Sequence, residues 1–350
     1  MKIAVTFSSK QGLLNEYKKR MGPEAATDDI PADYFAEGDS MQTIQAVIDA
    51  IAQGKYDVTG IEADDNLAAG LQKIKPDLIF NIAEGLWGDC RESYVPMICE
   101  RLGLPYSGSD PLTLAICLNK ARAKEILSFH KIPTPAFKII TPDESFNVKD
   151  FTYPAIIKPV SEGSSKGIFN DSVVKSSREA KERIKSKLAQ YRQPVLIERF
   201  LHGAEFTVAV WGNNDQIEVL PIVAINYQQL PAEAHPIYSY EAKWIWDTPD
   251  KPLEIFQCPA KISVTLQKRI AATARKAYQV LNIRDWCRID IRLDENKIPN
   301  VLELNPLPGI LPDPKDNSCF PKAARTAGYN YASMMQKVVQ IAARRNGLQS

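Results

Sequence analysis

No apolar run in this chain of 350 residues approaches the roughly 20 that a membrane-spanning helix requires. The opening MKIAVTFSSK moves straight into a strand-like pattern, without a signal-type apolar core. A cytoplasmic protein with no membrane partner is expected. An excess of one charge is missing too: 43 Lys and Arg against 42 Asp and Glu leave a net charge of +1, which offers no electrostatic footing for nucleic acid. Small molecules are then the expected partners. The six cysteines, at 90, 99, 117, 258, 287 and 319, include no C-x-x-C pair, and the three histidines, His130, His202 and His235, are scattered. Zinc spacing is absent, and the thiols read as buried or inert. Neither G-x-x-x-x-G-K-[ST] nor G-x-G-x-x-G occurs, which disfavours a P-loop, a Rossmann dinucleotide site and a dinucleotide oxidoreductase.

A chain of this length exceeds the usual size of one core, so two or three domains are expected. Through the first third, strand and helix patterns alternate. KIAVTF reads as a strand, and PDLIFNIAEG as another. Between them, MQTIQAVIDAIAQG sets Met41, Ile44, Val47, Ile48 and Ile51 on one helical stripe closed by Gly54. Such alternation implies a parallel sheet with packed helices and functional loops at the carboxyl ends of its strands, residues 84–89 among them. One helix is expected around LTLAICLNKARAKEILSFH. The turn KIPTPAF then opens a second unit with strands YPAIIKPV and PVLIERFL. A third unit carries AEFTVAVWG, IEVLPIVAIN, a helix from Ile262 to Leu281 and a hairpin, CRIDIRLDENKIPNVLELN.

That hairpin carries the first chemistry. Its two strand-like runs flank the turn residues Asp294, Glu295 and Asn296. Residues i and i+2 of a strand share a face, so Glu303 and Asn305 project together, and in the obvious register Asp290 and Arg288 join them. Three oxygen donors beside one fixed cation suit Mg2+, which binds through one or two carboxylates together with substrate phosphates. Ordinary surface charges on a solvated hairpin are the alternative. Earlier, IIKPVSEGSSKG delivers Lys158 from a strand and breaks into a loop holding Gly163, Ser164, Ser165 and Gly167. Glycines permit close backbone approach, and N–H groups, hydroxyls and a lysine suit phosphate oxygens. Here the alternative is a flexible hairpin loop.

Neither segment stands alone. The ordered set NKARAK, IKPVSEGSSKG, LIERFLHGAEFTV, SYEAKW, CRIDIRLD, LELNPLPG and SCFPKAA resembles the ATP-grasp superfamily and, within it, the D-alanine–D-alanine ligase family, from around Phe80 to the C-terminus. The resemblance implies an α/β ATP-grasp fold. Residues 1–119 would form a Rossmann-like parallel α/β domain, and 120–201 and 202–350 two α+β domains clasping ATP. It further implies Lys120 and Lys158 on the ATP phosphates, with Ser164 and Ser165 in the covering loop. Glu198, Phe200 and Leu201 would lie at adenine, Glu205 at ribose and Lys243 at the γ-phosphate. Asp290, Glu303 and Asn305 match ligands of Mg2+, expected as a pair of ions, with Mn2+ an alternative. Arg288, Lys243 and Ser164 are implied in catalysis, and Glu84, Tyr240, Arg288, Gly309 and Ser318 at the substrates. A homodimer is the expected assembly.

A ligase of this kind phosphorylates a carboxylate with ATP, and an amine then displaces the phosphate. Arg288 and backbone N–H groups would stabilise the oxyanion, while loops 163–167 and 239–247 close to exclude water. The acceptor half departs from the family. Where the family has G-G-x-S-x-E and H-G-x-x-G-E-D-G, this chain reads TFSSKQGLLNEYKK and AEGLWGDCRE. Glu84 stands in place of the histidine, and the loop before Ser318 is longer. An ionised Glu84 accepts hydrogen bonds but donates none, which favours ammonium or hydroxyl groups on the first substrate, in a pocket also lined by Leu86 and Trp87. Within the ligase class the chain also resembles the mycosporine-glycine ligases of mycosporine-like amino acid biosynthesis, which implies mycosporine-glycine plus an amino acid as the expected substrates, with ATP activating a vinylogous carbonyl in place of a carboxylate. The alternatives are a D-alanine–D-alanine ligase of cell-wall synthesis and another dipeptide ligase. A non-catalytic nucleotide-binding relative would lose lysine or metal positions, and none is missing.

Overall fold

The computed structural model describes residues 1–22, 30, 33–142, 145–247 and 253–349. The chain begins with β1 (Lys2–Phe7), α1 (Lys10–Met21), α2 (Met41–Ala52), β2 (Asp57–Glu62), α3 (Leu67–Ile74), β3 (Leu78–Asn81), α4 (Tyr94–Leu102) and α5 (Pro111–Leu118). Its three strands form a parallel sheet in the order β2-β1-β3. Ser40 starts α2 by accepting from the Thr43 N–H at 3.1 Å, and Ile44, Val47 and Ile51 are buried. Met41, expected on that stripe, is 60% exposed, because it occupies the first turn beyond the packed part of the face.

The helix expected over LTLAICLNKARAKEILSFH is two helices. Asn119 has an extended backbone (φ −83°, ψ 92°) that ends α5, and its side chain caps α6 (Lys120–Phe129) by accepting from the Arg122 N–H at 3.0 Å. Asparagine favours caps over helix interiors because its side chain competes for backbone groups. This break makes Lys120 the first residue of a new helix, where its ammonium donates to the Glu162 carbonyl.

A second sheet, antiparallel in the order β4-β7-β5-β6, contains β4 (Phe137–Ile140), β5 (Ala155–Pro159), β6 (Val173–Val174) and β7 (Val195–Arg199), with α7 (Ser177–Tyr191) packed on it. A third follows, with β8 (Glu205–Trp211), β9 (Glu218–Val219), β10 (Val223–Ile225), β11 (Phe256–Gln257), α8 (Val264–Val280), β12 (Trp286–Leu293) and β13 (Pro299–Asn305). Its order is β11-β10-β8-β12-β13, with β9 paired to β8. IEVLPIVAIN divides into β9 and β10 around Pro221, which has no N–H to give a ladder. Two final helices, α9 (Cys319–Thr326) and α10 (Tyr331–Arg345), carry Phe320, Met335, Val338 and Ala342 into one core with Ile3, Val5, Ile44 and Val47. Trp286 is wholly buried between the rings of Phe80 and Phe320, at 5.6 and 5.4 Å. The first and third sheets therefore share a core that fixes the hairpin relative to the loops after β1 and β3. Among the described residues no helix is long and apolar enough to cross a membrane.

Candidate active site

A cavity of about 260 Å³ lies where elements of all three sheets meet, and one of about 50 Å³ adjoins it. From the middle sheet come Lys158 on β5 and Glu198 on β7. Their register sets Ile156 opposite Glu198 and Lys158 opposite Leu196, so the lysine reaches diagonally to Glu198 Oε1 at 2.9 Å. Lys124 on α6 takes the other oxygen at 2.5 Å. Burial works to raise the Glu198 carboxyl, but Lys124 and Lys158 outweigh it and hold it below its ordinary value. Burial pulls Lys124 itself down to about 8. Beyond this triad Ile156, Phe200, Ile237 and Ile168 make an apolar slot, with Leu201 in the wall. The Arg292 guanidinium lies 4.7 Å from the Phe200 ring and donates to Glu205 at 2.9 Å. A carboxylate thus stands at the end of an apolar slot.

On the opposite wall the hairpin β12–β13 forms in the expected register: Arg288 pairs with Asn305 and Asp290 with Glu303, with an irregularity just after Asp290. Arg288 donates to both Asp290 oxygens, at 3.2 and 3.0 Å, and lies 3.6 Å from Glu303. Lys120 reaches Glu303 from α6 at 3.4 Å. Burial would lift the Glu303 carboxyl, yet Lys120, Arg288 and Lys158 hold it down at about 2. Among the described residues no three His, Cys, Asp or Glu side chains are arranged to hold a metal. Two carboxylates and a carboxamide suit a hard cation that completes its shell with phosphate oxygens and water, and do not make a closed metal cage.

The first sheet supplies Glu84 from the loop after β3, Glu37 and Asp39 from the segment before α2, and Lys10 from α1. Burial, then the Glu37, Glu92 and Asp39 carboxylates, pushes Glu84 well above the carboxylate range. Burial also pushes Asp39 to about 7 against the pull of Lys10. That upward shift runs against the expectation of an acceptor-only Glu84, since a carboxyl that holds its proton also donates. Leu86 and Trp87 are not part of the cavity lining. Gly85 (φ +75°) turns the chain after Glu84, and Leu86 and Trp87 join Leu13 and Tyr17 in a separate cluster. There Trp87 stacks on Tyr17 at 6.1 Å.

Two loops close over the cavity and touch. Ser165 Oγ donates to the Tyr238 carbonyl at 2.8 Å, the Tyr240 N–H to the Ile168 carbonyl at 2.8 Å, and Trp244 Nε1 to the Ser164 carbonyl at 3.4 Å. Residues 163–167 also spell G-x-S-x-G, the pattern of a nucleophile elbow, but the Ser165 hydroxyl is engaged by a backbone carbonyl. Lys243 lies 5.0 Å from the Trp244 ring, and burial, with Arg288 alongside, pulls its ammonium down to about 8. At the far rim Ser318 Oγ accepts from the Leu311 N–H at 3.1 Å and donates to the Gly309 carbonyl at 3.0 Å. Of the residues that the resemblance implicates in ATP, metal or substrate binding, all but Tyr240 line one of the two cavities. The Tyr240 ring instead packs 5.5 Å from Phe169.

Several lining or supporting residues escaped the sequence reading. Lys124 lies one helical turn after Lys120 and could have been found by that spacing. Glu162 and Lys166 stood unremarked inside the glycine-serine loop. Lys10, Glu37, Asp39 and Arg91 carry no local signal, because the segments that hold them meet the site only after folding.

An antiparallel sheet and a second, larger sheet clasping a cavity lined by lysines and carboxylates define an ATP-grasp enzyme. The family described as D-ala D-ala ligase C-terminus matches residues 126–340. A D-alanine–D-alanine ligase of Hydrogenovibrio crunogenus is 30% identical, over 92% of each chain. An uncharacterised protein of Sinorhizobium fredii, y4sG, is also 30% identical, over 86% of this chain and 87% of its own. The crystal structure of a D-alanine–D-alanine ligase from Bacillus anthracis complexed with ATP superposes over 99% of each chain, with a TM-score of 0.73 at 21% identity, a likeness of fold. The chain belongs to the D-alanine–D-alanine ligase family of the ATP-grasp superfamily. It is an ATP-dependent ligase that forms C–N bonds.

Proposed function

We propose that this ligase makes a dipeptide from two small amino acids, D-alanine with D-alanine being the leading pair. The observation that carries the reading is the convergence of Lys158, Lys243, Arg288, Glu303 and Glu84, from all three sheets, on adjoining cavities. In this reading the slot of Ile156, Phe200, Leu201 and Ile237 takes adenine, and Glu205 meets the ribose. Lys120, Lys158 and Lys243 hold phosphates beneath Ser164 and Ser165. Both oxygens of Glu198 are ion-paired with lysines, so its part is to aim Lys158 and not to read the base directly. Asp290, Glu303 and Asn305 would hold Mg2+, which supplies neutralisation of phosphate charge. Arg288 steadies the oxyanion as the amine attacks, and the touching loops keep water away from the activated carboxylate. Gly309 and Ser318 form the rim for the second substrate. Residues 1–119, 120–201 and 202–350 are the corresponding domains, and an ATP-consuming enzyme of this kind works in the cytoplasm.

Mycosporine-glycine finds no support in the relatives named above, whereas the Hydrogenovibrio protein is a D-alanine–D-alanine ligase by name. One observation keeps a more polar first substrate as the second reading. Glu84 and Asp39 line the cavity with carboxyl groups that burial shifts upward, and such groups suit a hydroxyl or an ammonium. A phosphate-release screen of D- and L-amino acids, with and without mycosporine-glycine, followed by product masses, decides between them. Efficient D-alanyl-D-alanine formation is expected. Product only in the presence of another first substrate would overturn the D-alanine reading.

A further inference from the structure

We propose that Glu37 and Arg91 are positioning residues that clamp loop 161–167 in the shape that receives the ATP phosphates. The inference rests on the phosphate-binding role proposed for that loop.

The loop cannot hold its shape by itself. Ser164 and Ser165 adopt φ of +50° and +61°, the left-handed region that side chains with a Cβ avoid, and such residues persist only where their surroundings over-determine them. Gln193 accepts the Ser161 N–H at 2.8 Å and Lys187 donates to the Gly167 carbonyl, and the remaining anchors come from segments of the first domain, far away in sequence. Arg91 Nη1 donates to the Ser161 carbonyl at 2.8 Å, and Nη2 to Glu162 Oε2 at 3.2 Å. The same Nη2 donates to Glu37 Oε1 at 2.7 Å, and Glu37 Oε1 accepts the Gly163 N–H at 2.8 Å. Asp33 secures the far end by accepting from the Gly167 N–H at 2.7 Å. Between these anchors the N–H groups of Ser164 and Ser165 have no partner among the described residues.

Both clamp residues are buried, with side chains 2% and 5% exposed. Burial works to raise the Glu37 carboxyl, but the Arg91 and Lys166 charges hold it below its ordinary value, so the pair is ionic. The clamp also touches the substrate side. Asp39 lies two residues beyond Glu37, and a Cβ placed on Gly163 would stand 2.8 Å from Glu37 Oε1 and 3.7 Å from Glu84 Oε2. One short segment therefore carries both the loop anchor and the acidic wall of the cavity, which joins substrate binding to phosphate binding mechanically.

The test uses the full chain with Glu37→Gln and, separately, Gly163→Ala. The first keeps an oxygen for the Gly163 N–H but removes the charge that Arg91 grips; the second pushes the carboxylate aside without removing any charge. Affinities for a non-hydrolysable ATP analogue and for adenosine are measured by calorimetry, with thermal melting alongside. The expected result in both variants is about a tenfold loss for the analogue, as for one charge-assisted hydrogen bond, with adenosine affinity unchanged; Glu37→Gln also melts lower, because Arg91 loses one of its two buried carboxylate partners. Wild-type affinity for the analogue in both variants would overturn the inference, as would parallel losses of analogue and adenosine affinity. A wild-type chain that binds adenosine as tightly as the triphosphate would instead refute the phosphate reading of the loop.

Discussion

Replacing Lys158 by methionine keeps an unbranched side chain and removes one charge, which isolates the proposed phosphate contact. In the folded chain Lys158 Nζ is 2.9 Å from Glu198, whose second oxygen is held by Lys124 at 2.5 Å. Glu198 would therefore keep one buried partner. Stranding a buried charge costs about 3–5 kcal/mol, but here the loss should stay near that of one hydrogen bond to a charged group, about 1.5–3 kcal/mol. The same range, applied to the bond that the ammonium would make to phosphate, predicts ATP affinity lower by roughly 10- to 150-fold. Lys124→Met is the control. Lys124 pairs with the same carboxylate and donates to Thr134 Oγ1 at 2.7 Å, yet it does not line the cavity. It should cost comparable stability in urea unfolding while leaving affinity for a non-hydrolysable ATP analogue far less affected. The reasoning is refuted if Lys158→Met binds the analogue as wild type does, or if Lys124→Met weakens binding equally.

Two other outcomes follow from the same geometry. Glu303→Gln should abolish ADP formation while the melting temperature changes little, because Arg288 keeps Asp290 as a partner at 3.0 Å; normal turnover would remove Glu303 from the metal site. Lys243, pulled to about 8 by burial and Arg288, carries its charge below that pH and loses it above. Affinity for the ATP analogue should fall as pH rises through about 8 in the free enzyme, and Lys243→Arg, charged throughout, should flatten that limb. A pH-independent affinity in the wild type would show that Lys243 does not meet phosphate.

How far the site could be read in advance depended on the range over which each feature is encoded. The hairpin pairing Asp290 with Glu303 was legible because alternation and a short turn set register between neighbours in the chain. Lys158 and the glycine-serine loop were legible as one strand running into one turn. The break at Asn119 was missed because apolar periodicity continued on either side and hid the cap. Leu86 and Trp87 were misplaced because one glycine turned the chain between them and Glu84.

Amino-acid order by itself determined the strand and helix alternation of the first sheet, the β12–β13 hairpin, the ordered ligase motifs and the family. Only the tertiary structure decided the surroundings that shift the Glu84 carboxyl upward and the anchoring of loop 161–167. Glu37 meets Arg91 across 54 positions and Gly163 across 126, separations at which no local periodicity can report a contact. The upward shift of Glu84 arises from desolvation and from carboxylates brought in from other segments, and neither exists until the chain has closed around it.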